Sequence, residues 1–214
     1  MAELLDLIQT EHKSILKYLL ILLNSDNTNY QVIVKYCNEI IQSNHHFKEE
    51  TYIFNNLIDK PELLAGGPYC VLYFDEHVLN SPFSLVKELK KKLNISVKSD
   101  VSNHLTSMFS KKTPLNIPIE DHEACRQIVS MSRVILNSKK YSKTNLKHIF
   151  DVYTKLLTSH FEREENCLLK LVNSITTKSE KETIYNQFKF SNKPIINDSY
   201  IESYLYENNK IKLS

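Results

Sequence analysis

Two pairs of residues in this chain have the types and the spacing of metal ligands. His45 and Glu49 lie four apart, and so do His160 and Glu164. On a helix, residues four apart sit one turn apart on the same face, so each pair aims an imidazole and a carboxylate in one direction. Both pairs fall on apolar stripes. Val34, Cys37, Ile41, His45, Glu49, Tyr52 and Asn56 advance by 3 or 4, as do Leu146, Phe150, Tyr153, Leu157, His160, Glu164, Cys167 and Leu171. Burying an ionised glutamate is costly unless something pairs with it, and no Lys or Arg shares these stripes. A cation that accepts imidazole and carboxylate together is one resolution. A polar core network is the other.

Eight histidines are present, at 12, 45, 46, 77, 104, 122, 148 and 160. His12 falls inside the stripe Leu5, Ile8, Ile15, Leu19, Leu22, and His122 aligns with Cys125, Val129 and Leu136. His104 and His148 stand apart from the paired motifs and read as structural or exposed. The doubled His45-His46 and Glu49-Glu50 allow two registers. Read back from His45, the helix presents Ile41, Cys37 and Val34; from His46 it presents Gln42, Glu39 and Lys35. The apolar face belongs in a core, so periodicity favours His45 with Glu49 and leaves His46 and Glu50 a lesser role, as partners that orient a metal-bound imidazole. Other chemistries lack their signatures. There is no Glu-x-x-His of the ferritin type, no His-Glu-x-x-His, no haem-attachment motif and no G-x-S-x-G, and two adjacent glycines, Gly66 and Gly67, cannot furnish a phosphate loop.

The elements that must position these residues are helical. Two glycines in 214 residues leave little for hairpins and bulges. The patterns predict helices over residues 2–24, Tyr30–Asp59 (stopped by Pro61), Ile119–Ser138 and Lys143–Asn173, with short helices near Cys70–Leu79, Phe83–Leu93 and Ser99–Phe109. Residues 60–69 read as a loop. The expected fold is all-α, an up-down-up-down four-helix bundle over 1–172, with 69–113 as a helical insertion and 173–214 as a C-terminal extension packing on the bundle. Such bundles build metal sites from side chains on facing helices.

Bulk properties narrow the function. Hydrophobic residues make up 42% of the chain, enough for a real core, and the net charge of +2 gives no argument for nucleic acid or an anionic membrane. No apolar run approaches a membrane span, and the first residues do not read as a secretory leader. The four dispersed cysteines (37, 70, 125, 167) read as reduced core residues. The expected location is cytoplasmic.

Glu11-His12, the block from His45 to Phe54 (HHFKEETYIF), Glu120-Asp-His122-Glu-Ala-Cys-Arg126 and His160-Phe-Glu-Arg-Glu164-Glu165 resemble, in that order, the hemerythrin-like (HHE cation-binding) family. The resemblance covers roughly residues 1–172. It implies a four-helix bundle around two iron ions, with five histidines and two bridging carboxylates. The matching positions are His12, His45, Glu49, His122, His160 and Glu164. The family's second histidine on the third helix has no counterpart, since Pro118 and Arg126 occupy the positions four before and four after His122; the vacancy goes to His77. The long connection before His122 and the His-x-x-x-Glu spacing at the last carboxylate depart from the oxygen carriers. The implied ligand is a small diatomic molecule or a peroxide, bound or sensed. A di-iron enzyme (oxidase or peroxidase) and an iron-donating repair protein are the alternatives. No protein partner is indicated.

Overall fold

The computed structural model describes residues 2–25, 28–65, 81–96, 115–138 and 142–209, and within them the regular structure is helical, with no strand. Helix α1 is Ala2–Leu23. Helix α2 runs continuously over 30–57. It starts as an α-helix at Tyr30–Tyr36, widens to π-helix at Cys37–His46 and again at Glu49–Phe54, and closes at Asn55–Leu57. Helix α3 is Pro82–Leu93 and α4 is Asn116–Leu136. Helix α5 covers 143–175, with a π turn at Glu164–Leu168 between Lys143–Arg163 and Leu169–Ile175. Helices α6 (Lys178–Lys189) and α7 (Asp198–Asn209) follow.

The helix ends have identifiable causes. The Asn29 side chain caps α2 by accepting from the amides of Gln31 and Val32, and Ser142 caps α5 by accepting from that of Asn145. Thr177 and Glu180 form a reciprocal capping box at the start of α6. Helix α3 ends on Asn94 at φ 50°, a left-handed conformation that asparagine tolerates. Helix α4 begins three residues earlier than expected and takes in Pro118. Its first turn has no intrahelical partners for its N–H groups, so proline's missing donor costs nothing there. The stretch read as a loop at 60–69 contains a helical turn, Glu62–Ala65. The short helices expected near Cys70–Leu79 and Ser99–Phe109 lie outside the described residues.

Helix α1 packs on α2 and α5, and α4 packs on α2 and α5, so four long helices touch in a closed ring. Helix α3 lies against α4 and α5, α6 against the second π segment of α2, and α7 against α1. Two apolar clusters fill the ring. One joins Leu4 and Ile8 of α1, Ile53 and Phe54 of α2, Ile119 of α4 and Leu168 and Val172 of α5. The other joins Ile15 and Leu19, Ile33 and Cys37, Ile128 and Val129, and Phe150 and Leu157. The extension contributes to both: Ile184 and Phe188 to the first, Ile196, Ile201 and Leu205 to the second. Each such burial contributes about 1.5–3 kcal/mol toward docking these segments. Between the clusters lies a polar layer that includes Glu11, His12, His45, His46, Glu49, His122, His160 and Glu164, all buried.

Cys37 and Cys125 are free and buried, whereas Cys167 is disulfide-bonded. The reading of four reduced cysteines is therefore corrected at Cys167, and cysteine chemistry no longer argues for a reducing compartment. No helix among the described residues is long and apolar enough to cross a membrane.

Candidate metal centre

Each helix of the ring sends side chains into the polar layer. Helix α1 brings His12, α2 brings His45, His46, Glu49 and Glu50, α4 brings His122, and α5 brings His160 and Glu164. His12, His45, Glu49 and Glu164 form one group able to hold an ion; Glu49, His122, His160 and Glu164 form another, and His46 joins His122 and His160 in a third. The two carboxylates belong to both sides. Glu49 Oε1 lies 3.4 Å from His45 Nε2 and 3.7 Å from His12 Nε2, while its Oε2 lies 3.5 Å from His122 Nε2. Glu164 Oε2 is 3.5 Å from both His12 Nε2 and His160 Nε2, and its Oε1 is 4.0 Å from His122 Nε2. Ligands held about 2.0–2.2 Å from a common ion stand apart by distances of this order.

The sequence reading gives His46 and Glu50 an outer role; the structure puts Glu50 behind His122 but brings His46, 0% exposed, among the inner groups. The reason is the π-helix at Cys37–His46. Its wider turn closes i to i+5 rather than i+4, so the face marked by Ile41 is continued by His45 and His46 together. The His46 ring stacks on His122 with centroids 3.7 Å apart and sits edge-on to His160. The doubled histidines and glutamates read as a choice between two registers, and the π-helix admits both histidines at once. His77 and His104 lie outside the described residues. His148 is half-buried, away from the centre, and accepts from Lys92 Nζ at 3.1 Å.

Behind the inner groups runs a ring of carboxylates. The Nδ1 of His45 faces Glu11 Oε2 at 3.0 Å, that of His122 faces Glu50 Oε1 at 2.7 Å, that of His160 faces Asp121 Oδ2 at 3.4 Å, and that of His12 faces Glu165 Oε1 at 2.8 Å. Each carboxylate comes from the neighbouring helix: α1 serves α2, α2 serves α4, α4 serves α5, and α5 serves α1. Each is gripped from the helix it serves, Glu11 by Lys48, Glu50 by Arg126, Asp121 by Arg163 at 2.5 Å, and Glu165 by Gln9 at 3.2 Å. At His45 and His122 the carboxylate accepts from Nδ1, which fixes the proton there and turns the Nε2 lone pair inward, the form that binds a metal; His160 Nδ1 makes no hydrogen bond.

The inner groups could hold a metal ion. The basic side chains Lys48, Arg126 and Arg163 are engaged with outer carboxylates. Facing the interior, His12 Nε2, His45 Nε2, both His46 nitrogens, Glu49 Oε2 and both Glu164 oxygens have no hydrogen-bond partner. His122 Nε2 and His160 Nε2 stand 3.0 Å apart, where one ring donates to the other. Buried groups left without partners are costly, and an ion bound among them removes the cost. All three π segments adjoin or contain these residues, and π turns within helices occur frequently at functional sites.

Burial pushes His46 and His122 well below the usual histidine range and His45 down to about 4. His12 moves the other way: despite burial, Glu164, Glu165 and Glu49 raise it. Burial and then the charge of Glu164 raise Glu49, while Glu164, against its own burial, is held to about 2 by His160 and His12. The sign for the metal-free protein follows. Below about 6.5 an unfolded chain protonates its histidines, while folded His45, His46 and His122 stay neutral, so the unfolded state binds more protons and stability falls with pH. Glu49 opposes one of the three, because folding retains its proton above its ordinary range. His12 is protonated in both states within this window. The balance is a loss of stability as the pH falls from about 6.5 toward 4. Chelator-treated protein should therefore melt several degrees lower at pH 5 than at pH 7; a level or rising Tm would contradict neutral buried imidazoles.

Compared with family models, curated proteins and solved structures, the chain matches none.

Proposed function

We propose that this chain is a hemerythrin-like, up-down-up-down four-helix bundle whose core holds two iron ions, and that it binds or senses oxygen, nitric oxide or a peroxide there. The observation that carries the reading is the inner face of the polar layer, where five imidazoles and two carboxylates converge with ligand atoms left unpaired. The bundle assignment draws on the apolar clusters: the N-terminal halves of α1 and α4 meet the C-terminal halves of α2 and α5, as in helices that alternate in direction. His12 and His45 would hold one ion, His46, His122 and His160 the other, with Glu49 and Glu164 shared. His46 thereby fills the place that the sequence reading gave to His77. Iron suits this imidazole and carboxylate set and would supply a redox-active centre for a small ligand. The chain's own part is to orient and to exclude water. The outer carboxylates fix the imidazoles, Phe161 stacks on His12 with centroids 3.8 Å apart, and Phe54 lies 5.6 Å from His122.

Elemental analysis of protein produced with iron supplementation should find two iron ions per chain. His46→Ala should lower that content by about half, since a lost direct ligand costs at least the roughly ten-fold in affinity typical of lost outer partners. His148→Ala should leave it unchanged. Folded protein without iron would overturn the reading, and full iron in His46→Ala would return the fifth position to another residue.

A further inference from the structure

The C-terminal extension does more than cover apolar surface. Between α6 and α7 the chain passes directly over one corner of the carboxylate ring. The Ile196 amide donates to Glu11 Oε1 at 3.0 Å, beside Lys48 Nζ on the same oxygen. Lys48 also donates to Pro194 O at 3.3 Å, and Asn44 Nδ2 donates to it at 3.1 Å. Glu11 and Lys48 are both 0% exposed, so the link is sealed from water. The other oxygen of Glu11 faces His45 Nδ1. One carboxylate therefore touches a metal-facing imidazole on one side and the backbone of the extension on the other. At the corners of Glu50 and Glu165 the bonded partners belong to the four long helices.

We propose that the segment 194–205 is a clamp coupled to metal occupancy at the His12–His45 position, with Glu11 as the positioning residue that joins them. The inference rests on the dinuclear reading above. The physical basis is direct. A cation at His45 Nε2 draws electron density from the ring and strengthens the Nδ1–H donor, which tightens and orients Glu11. An oriented, ionised Glu11 is the better acceptor for the Ile196 amide and the better partner for Lys48, whose second donor holds Pro194. Docking of Ile196, Ile201 and Leu205 into the apolar cluster in turn holds Glu11 toward His45. Coupling of this kind is reciprocal: if metal stabilises the docked segment, docking raises metal affinity by the same factor. Glu11 bonds to His45 and to no imidazole of the His46, His122 and His160 side, so the effect falls mainly on one of the two binding steps.

The test uses the full chain, stripped of metal and then titrated with ferrous iron under anaerobic conditions. Amide hydrogen exchange at Ile196 and across 199–205 is expected to slow by about ten-fold on loading, within the usual range for linked sites. Ile196→Ala keeps the amide donor but weakens docking; it should reduce one of the two iron-binding steps by a similar factor and leave the other within about two-fold. Iron uptake with unchanged exchange over 196–205 would remove the clamp and leave the metal centre standing, as would an equal loss at both steps in Ile196→Ala. Absence of iron uptake by the wild-type chain would remove both. Should Ile196→Ala fail to fold, the exchange measurement on the wild-type protein decides alone.

Discussion

Glu49→Ala will cost the protein most of its metal at both positions, and Glu164→Ala will do the same. No single histidine has that reach. Each of these carboxylates presents oxygens to imidazoles on both sides of the centre: Glu49 to His12, His45 and His122, and Glu164 to His12, His122 and His160. Loss of an outer partner of a metal ligand already lowers affinity about 10–100-fold, and loss of a shared inner ligand exceeds that at two ions together. The apo Glu49→Ala protein should fold at least as well as wild type, because burial and the charge of Glu164 both disfavour an ionised Glu49. Apo Glu164→Ala should be less stable, because His160 and His12 hold that carboxylate ionised. Metal content by elemental analysis and Tm of the chelator-treated protein separate the two effects. A variant that keeps half its metal would show that the carboxylate serves only one ion. A variant that loses metal and unfolds would show a structural role.

The paired motifs were legible because helical spacing is periodic and because buried charge is expensive. His12, His45, Glu49, His122, His160 and Glu164 all sit on stripes that read as apolar, and these are the residues that meet. The long helices were legible for the same reason, with ends fixed by Asn29, Ser142 and the proline at 61. Reasoning at 3.6 residues per turn failed where the backbone departs from it. A π segment over Cys37–His46 brings His46 inward, and nothing in local propensity announces a π turn. Of the outer carboxylates, Glu50 and Glu165 read from the sequence as residues behind the ligands, and Glu11 and Asp121 did not, although all four sit beside inner groups in the chain: Glu11 by His12, Glu50 by Glu49, Asp121 by His122, Glu165 by Glu164. Neighbours on a helix point about 100° apart, so each such carboxylate turns away from its own site and toward the next helix. That relation exists only once the four helices are assembled. The cations that balance these carboxylates, Lys48, Arg126 and Arg163, follow His45, His122 and His160 by three or four residues. They lie off the apolar stripes, which is why the stripes held no Lys or Arg.

The Lys48–Glu11 pair gives the largest expected change in stability. Both side chains are fully buried, and besides Glu11 the Lys48 ammonium has Pro194 O and the face of Phe188, 4.6 Å from the ring centroid. Glu11→Ala leaves that ammonium without its counter-charge and should destabilise the metal-free protein by about 3–5 kcal/mol, the usual cost of breaking a buried ion pair from one side. Replacing both residues at once, Glu11→Leu with Lys48→Met, removes the stranded charge and restores apolar volume, so most of the loss should return. A remainder of about 1–3 kcal/mol should persist, because the Ile196 amide loses its acceptor. Iron affinity should follow a different course. His45 Nδ1 loses the carboxylate that fixes its proton in both the single and the double variant, so the binding step that uses His45 should stay weakened by about 10–100-fold even where stability has recovered. Denaturation midpoints measured beside iron titrations distinguish these roles. If the double variant recovered affinity along with stability, Glu11 would be only the counter-ion of Lys48. If stability recovered while affinity did not, Glu11 would be the residue that orients His45.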